Sequence, residues 1–313
     1  MNNVIRPRRV HSVTHTLHPD RSMRVRPRLG RKLALAALVV VVTTILPLSP
    51  LFAGNWPMER RATYISFGYR GFSGQQYFGS SGESLAMHRL EEQTLTFYSE
   101  YGYSKNVSAI VQLPAFRKLY AQVDADAPLL SVQSPGDVDL GMRFTLWPGE
   151  RDAVSVTALF GIPLGETTQN KGLWAGDNEY NQLILLRYGH LFDQFATSVN
   201  VETGYNFRSG GYADELRFAA EIGVRPIDAL ELKFHLRSVL SQDNGDSDFS
   251  GGRYGFSSNN QRYLLYGPEV AVWLSGSMGL HFGLYNITDA RNMTGSTILQ
   301  SGLFFLLAPV SVR

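Results

Sequence analysis

The sequence predicts an all-β protein, a transmembrane antiparallel β-barrel of about twelve strands that follows a cleaved signal peptide. Three observations carry this expectation. A basic and then apolar leader fills residues 1–53. The remainder, 54–313, breaks into segments whose apolar and charged side chains alternate with a period of two. The connections between those segments alternate between short and long.

The leader comes first. Residues 33–48 read LALAALVVVVTTILPL, behind Arg24, Arg26, Arg28, Arg31 and Lys32. A basic start, an apolar stretch and a small residue make a secretory signal. LSPLFA ends at Ala53, the expected cleavage point before Gly54. A membrane anchor is the other reading, but the apolar stretch falls short of the roughly 20 residues that a helical span needs. Met23 is a second candidate start, because residues 1–22 lengthen the leader with Arg and His. His11, His15 and His18 carry metal-binding side chains but lie in this leader.

Composition narrows the class. The chain has 313 residues and no cysteine, which excludes disulfides, thiolate chemistry and Cys-based metal sites. Its 30 glycines, 18 Phe and 15 Tyr suit strands joined by many turns. The formal charge of +2 hides an asymmetry. Residues 1–53 hold nine Lys/Arg and one acid, which leaves 20 basic and 26 acidic residues beyond them. That mildly acidic remainder does not point to nucleic acid.

Twelve alternating segments follow, at about 61–72, 91–103, 106–117, 137–148, 152–164, 180–190, 195–208, 213–225, 229–240, 261–275, 277–287 and 296–311. In GDVDLGMRFTLW (136–147), Val138, Leu140, Met142, Phe144 and Leu146 share one face, and Asp137, Asp139 and Arg143 share the other. Segment 213–225 gathers Leu216, Phe218, Ala220, Ile222 and Val224 opposite Glu215, Arg217, Glu221 and Arg225. Segment 229–240 sets Leu230, Leu232, Phe234 and Leu236 against Glu231, Lys233, His235 and Arg237. A charge facing lipid near the midplane costs about 2–4 kcal/mol. The apolar faces are therefore expected against lipid and the charged faces against a wet lumen.

Short connections fall at 104–105, 149–151, 191–194, 226–228 and 276; longer ones fall at 73–90, 118–136, 165–179, 209–212, 241–260 and 288–295. Outer-membrane barrels have short periplasmic turns and longer outer loops, and an even strand count brings both termini to the periplasmic side. Tyr101, Tyr103, Phe192 and Phe195 flank short turns, while Tyr205, Phe207, Tyr212 and Tyr263 lie near long connections, as two aromatic girdles would. A soluble sandwich also carries alternating strands and stands as the alternative.

The lumen-lining candidates are Asp137, Asp139, Arg143, Arg187, Glu202, Arg217, Glu221, Lys233, His235 and Arg237. With a turn at Pro226-Ile227-Asp228, Glu221 is expected opposite Lys233 and Arg217 opposite Arg237, with Glu215 diagonal to Arg237. These charges would line a solute path or form an ion-pair network that plugs the lumen. About eight strands make a filled barrel and about sixteen a wide channel, and twelve lies between.

Three stretches carry a family resemblance. LTFYSEYGYSKNVSAIVQLP (95–114), GDVDLGMRF (136–144) and LFGIPLG (159–165) occur in this order. They resemble the bacterial outer-membrane β-barrel family named for the meta-pathway of phenol degradation. The resemblance implies a barrel in the cell outer membrane and uptake of small, often aromatic or hydrophobic, solutes. It transfers no catalytic residues. Outer-membrane barrels commonly end on an aromatic residue, whereas this chain ends PVSVR with Phe304 and Phe305 several residues earlier. The expected surroundings are outer-membrane lipid, lipopolysaccharide and the outer-membrane assembly machinery.

The competing classes are a structural or binding barrel with a plugged lumen and an outer-membrane lipid hydrolase. A hydrolase needs a His beside a Ser, with an acid or Asn orienting the His. The mature histidines are His88, His190, His235 and His281. In KFHLRS, His235 and Ser238 fall on opposite faces, so no catalytic residue is assigned and the protein is read as a non-enzyme. Asp246, Asp248 and Ser250, followed by Gly251, have the spacing of half a calcium loop, but Ser257 stands where a bidentate Glu is required. Neither a phosphate-binding Gly-rich loop nor a His-Glu-x-x-His pattern occurs, so no cofactor or metal is expected.

Overall fold

The computed structural model describes residues 56–167, 172–193 and 196–308. The leader, the cleavage point after Ala53, Phe195 and the last residues of the final segment lie outside that range.

Twelve long antiparallel strands make the barrel. They are β1 (Thr63–Phe78), β2 (Ser84–Gly102), β3 (Val107–Gln122), β5 (Val138–Pro148), β6 (Asp152–Ile162), β7 (Asn181–Phe192), β8 (Thr197–Arg208), β9 (Glu215–Ile227), β10 (Leu230–Ser241), β11 (Arg262–Ser275), β12 (Met278–Arg291) and β14 (Ile298–Leu307). Two short pieces, β4 (Leu130–Ser134) and β13 (Met293–Thr294), pair with β3 and β1. Strands adjacent in sequence pair throughout, and β14 closes on β1 from Thr63↔Leu307 to Gly71↔Leu299. Closure leaves no edge strand, which is how a β structure satisfies its backbone in lipid.

Each of the twelve expected segments overlaps one of these strands. The largest difference is at 73–90, expected as an outer loop. There β1 and β2 run on past Phe72 and before Glu91, pairing Gln76↔Ala86 and Tyr77↔Leu85, and only residues 79–83 turn. The extension carries no apolar/charged alternation because, beyond the bilayer, neither face of the hairpin meets lipid. A membrane strand needs about 9–11 residues, and β2 has 19. Pro114 sits inside β3 where its missing N–H costs nothing: β5 pairs only as far as Gln112, and β4 begins opposite Arg117.

The outward faces form a continuous apolar belt. Leu140, Met142, Phe144 and Leu146 are 40–62% exposed, and Ile184, Leu186, Phe218, Ile222, Phe234, Phe282 and Leu284 are exposed likewise. A soluble monomer does not display apolar surface on this scale. The belt therefore faces lipid, and the sandwich alternative fails. Tyr101, Tyr103 and Phe192 are exposed beside the short turns, as a girdle requires. Tyr212 is not part of the other girdle. It is buried beneath the outer loops, with the Arg208 guanidinium 4.1 Å from its ring centroid.

Candidate functional site

The lumen has three levels. At the outer one, residues 172–180 and 242–261 fold inward. Phe256, Leu173 and Ala175 from these loops are buried against Phe72, Leu90, Leu119, Tyr285 and Ile298 of the wall. Phe256 is 1% exposed and stacks on Phe72, with centroids 5.9 Å apart and planes 8° apart. Gly255, at φ +83°, brings the loop backbone against Met293 and Thr294, where a Cβ would collide. Burying one large apolar side chain contributes about 1.5–3 kcal/mol, so several together form a plug.

Polar clamps hold the plug. One oxygen of Asp137 accepts the Leu164 and Gly165 N–H groups at 2.9 and 2.8 Å, and the other accepts Asp177 N–H at 2.7 Å. Arg253 N–H donates to Gly172 O at 2.8 Å and ties the two loops together. The Asn259 side chain donates to Phe249 O at 2.9 Å and accepts Ala213 N–H at 2.8 Å. Arg208 pairs with Asp177 at 3.1 Å, with Glu215 at 2.8 Å and also with Glu179. Arg217 also holds Glu215, at 2.7 Å, so two guanidinium groups face three carboxylates. Burial, and then the neighbouring Glu179, pushes the Asp177 carboxyl up to about 8.

The middle level is charged. Arg143 pairs with Glu100 at 3.2 Å, Arg187 with Glu202 at 2.8 Å, and Glu221 with His235 at 3.2 Å. Glu269 receives the Tyr285 hydroxyl at 2.8 Å, with Lys233 at 3.9 Å and His281 at 3.7 Å. Glu92 lies between Arg117 at 3.5 Å and Arg70 at 3.7 Å. Two cavities stand in line along the axis, about 280 Å³ on the outer side and about 400 Å³ on the periplasmic side. Arg70, Arg237, Glu269 and Gln300 line both, so they form the neck between them.

The periplasmic level is an arc of aromatic rings. Tyr64 stacks on Phe304 at 6.1 Å and meets Tyr98 edge-on at 6.0 Å; Trp273 meets Phe304 edge-on at 4.8 Å. Gly279 lies between the strands of Trp273 and Phe304, and a Cβ there would strike the Phe304 ring. Beneath the arc Met58 is buried, and Trp56 O accepts from Arg143 at 3.4 Å.

The inward-facing candidates separate into different tasks. Asp137 clamps a loop. Asp139 faces inward from β5 opposite Gly161 and Gln112, and Arg217 pairs with Glu215 at 2.7 Å near the outer end. Arg143, Arg187, Glu202, Glu221, Lys233, His235 and Arg237 occupy the middle level. The expected pairing of β9 with β10 is corrected. Glu221 stands opposite His235 rather than Lys233, and Arg237 opposite Ala219 rather than Arg217. The turn is tighter than three residues, since β9 runs to Ile227 and β10 restarts at Leu230, with a bulge between Leu230 and Leu232. Ser238 lies opposite Phe218 on the outward face, away from His235. Asp246 and Asp248 are exposed, and among the described residues no group of His, Asp and Glu is arranged to hold a metal ion.

Glu269, Arg70, Tyr285 and the whole aromatic arc were not among the candidates. Their faces mix apolar and charged residues: Tyr263, Leu265, Gly267, Glu269, Ala271 and Trp273 all point inward on β11. A rule that expects inward residues to be polar passes over such a face.

Closed backbone pairing, an apolar outer belt and an ion-paired lumen define a transmembrane β-barrel of the outer-membrane kind. The chain belongs to the family described as "Putative MetA-pathway of phenol degradation", which matches residues 92–300. Its fold is similar to that of an outer membrane channel from Pseudomonas putida F1, with a TM-score of 0.61 at 12% identity over 83% of this chain and 100% of that one. It is also similar to the translocator domain of the autotransporter NalP from Neisseria meningitidis, with a TM-score of 0.46 at 10% identity over 88% of this chain and 94% of that one. The KdgM porin aligns with a TM-score of 0.45 at 9% identity over 77% of this chain and 98% of that one. A search of curated proteins finds no match.

Proposed function

We propose that this barrel is an outer-membrane channel for small solutes, hydrophobic or aromatic ones among them, exported by a leader cleaved after Ala53. The observation that carries the reading is the pair of cavities, about 280 and 400 Å³, meeting at a neck. A structural barrel has no use for two in-line cavities, whereas a solute path needs stations between its ends. The outer plug acts as the gate in this reading, because it is made of loops that can lift away while the wall stays closed. The test is conductance of the folded protein in planar bilayers. A small current that grows when residues 250–257 are replaced by a short Gly-Ser link supports a gated channel. Silence in both forms would leave a barrel that binds or merely spans.

That second reading, a plugged barrel, has one observation on its side. Phe256 and Leu173 are as buried as any core side chain. Liposome swelling separates the two readings, since a plugged barrel passes neither sugars nor aromatic alcohols at any concentration.

A further inference from the structure

We propose that Arg237 is a specificity-determining residue of this path: at the neck it binds the carboxylate of a small aromatic acid, whose ring lies against Tyr64, Trp273 and Phe304. The proposal rests on the channel reading and names its cargo more closely.

Arg237 is a cation at the neck with no carboxylate in salt-bridge reach; Glu221, diagonal to it on the same face, is taken by His235 at 3.2 Å and Asn200 at 3.0 Å. The neighbours of Arg237 across the sheet are Ala219 on β9 and Leu265 on β11, neither of which can pair with it. Among the described residues no carboxylate lies within 4 Å of its guanidinium, while Arg143, Arg187, Arg208 and Lys233 all have one. The carboxylate that shares the neck, Glu269, already accepts the Tyr285 hydroxyl at 2.8 Å and has Lys233, His235 and His281 within 4 Å. Arg237 therefore presents a spare planar fork to whatever occupies the cavities. A fork of N–H donors matches a carboxylate by two parallel hydrogen bonds. With the carboxylate of Glu269 sharing the neck, the site suits a monoanion better than a dianion, whose second charge Glu269 would oppose.

The ring follows from the other wall of the same space. Arg237, Tyr64, Trp273 and Phe304 all line the 400 Å³ cavity. That volume lies within the range of small-ligand sites, and aromatic faces favour offset or edge contact with a flat ring. The second guanidinium at the neck, Arg70, is only loosely engaged by Glu92 at 3.7 Å, and its Nε is buried without a hydrogen-bond partner. It is the second donor that a carboxylate passing the neck would meet.

The experiment is calorimetric titration of the full folded barrel in detergent with benzoate, benzyl alcohol and acetate. Benzoate should bind, and the other two about tenfold or more weakly, because each lacks one half of the match. Arg237→Gln should weaken benzoate by about ten- to a hundredfold and leave its affinity near that of benzyl alcohol. Arg237→Lys should recover part of the loss. Heat-modifiable gel mobility checks that each variant is folded, and the comparison of ligands on the unaltered protein stands even if none is. Equal binding of benzoate and benzyl alcohol, or a folded Arg237→Gln that binds benzoate unchanged, overturns the proposal. Bilayer current from the same preparation is scored separately. Its absence removes the channel and leaves the binding result to decide the site.

Discussion

The two ends of the lumen are closed by different means. At the outer end, apolar side chains on two loops pack against inward apolar residues of the wall, and backbone N–H groups donating to Asp137 and Asn259 pin the loops down. Toward the periplasm, Tyr64, Tyr98, Trp273 and Phe304 stand on the strands themselves. A side chain on a barrel strand cannot leave without breaking the sheet, whereas a loop can lift at the cost of its contacts alone. Lifting the outer closure would therefore spare the sheet, whereas the inner ring is part of the wall itself.

The largest effect should come from Phe256→Ala. Losing a buried Phe costs about 3–5 kcal/mol. Here that loss should fall on loop docking, so a cysteine introduced at Leu173 becomes reactive to an impermeant maleimide in intact cells while the barrel keeps its heat-modifiable mobility. Phe304→Ala removes a comparable ring from the inner arc and should lower barrel stability without making position 173 reactive. Equal reactivity in both variants would erase the distinction between a movable and a fixed closure.

Charge placed on the two faces of β9 comes next. Phe218→Arg puts a cation into hydrocarbon and should cost about 2–4 kcal/mol of barrel stability, read as failed assembly on a gel. Glu221→Arg stays in the lumen and should fold, but it sets a cation against His235 and near Arg237, so any current should shift toward anions. Normal assembly of Phe218→Arg beside failed assembly of Glu221→Arg would reverse inside and outside.

Asp137→Asn should weaken loop docking by about 1–3 kcal/mol, because a neutral amide replaces the charged acceptor of three N–H groups. The readout is acrylamide quenching of Trp174 in a variant whose other tryptophans are Phe. The same probe follows pH. The Asp177 carboxyl titrates near 8 in the docked loop, against about 3.9 in an unfolded chain. A raised value means that the docked loop holds the proton more tightly. Docking is then strongest below about pH 4 and weakens as pH rises through 8. Quenching that falls between pH 6 and 9 would contradict the assignment of this proton.

How much of this was legible follows from where alternation survives. All twelve strands show in the sequence because lipid on one side and water on the other impose a period of two, as at Val138 to Leu146. The β1–β2 extension loses that signal where the membrane ends. The plug was hidden for the opposite reason. Phe72, Leu90, Leu119 and Ile298 point inward beside charged residues such as Arg70 and Glu92, and only the loops that cover them explain why. Asp137 and Arg237 were legible as inward charges, but their surroundings were not. The clamp depends on where Leu164, Gly165 and Asp177 return in space, and the surroundings of Arg237 depend on the register of one hairpin.

The seam between β1 and β14 has a consequence in time. It joins residues 63–71 to residues 299–307, the most distant parts of the barrel in sequence, whereas, apart from the short β13 that pairs with the same β1, every other wall pairing joins long strands that are neighbours along the chain. Neighbouring hairpins can zip as soon as both arms exist, but the seam must wait for the final strand and bear the full entropy of closing the longest loop. Until then β1 carries one unpaired edge, which in water would recruit other chains. A chain cut before Ile298 therefore keeps almost all of its local contacts and still has no way to become a barrel.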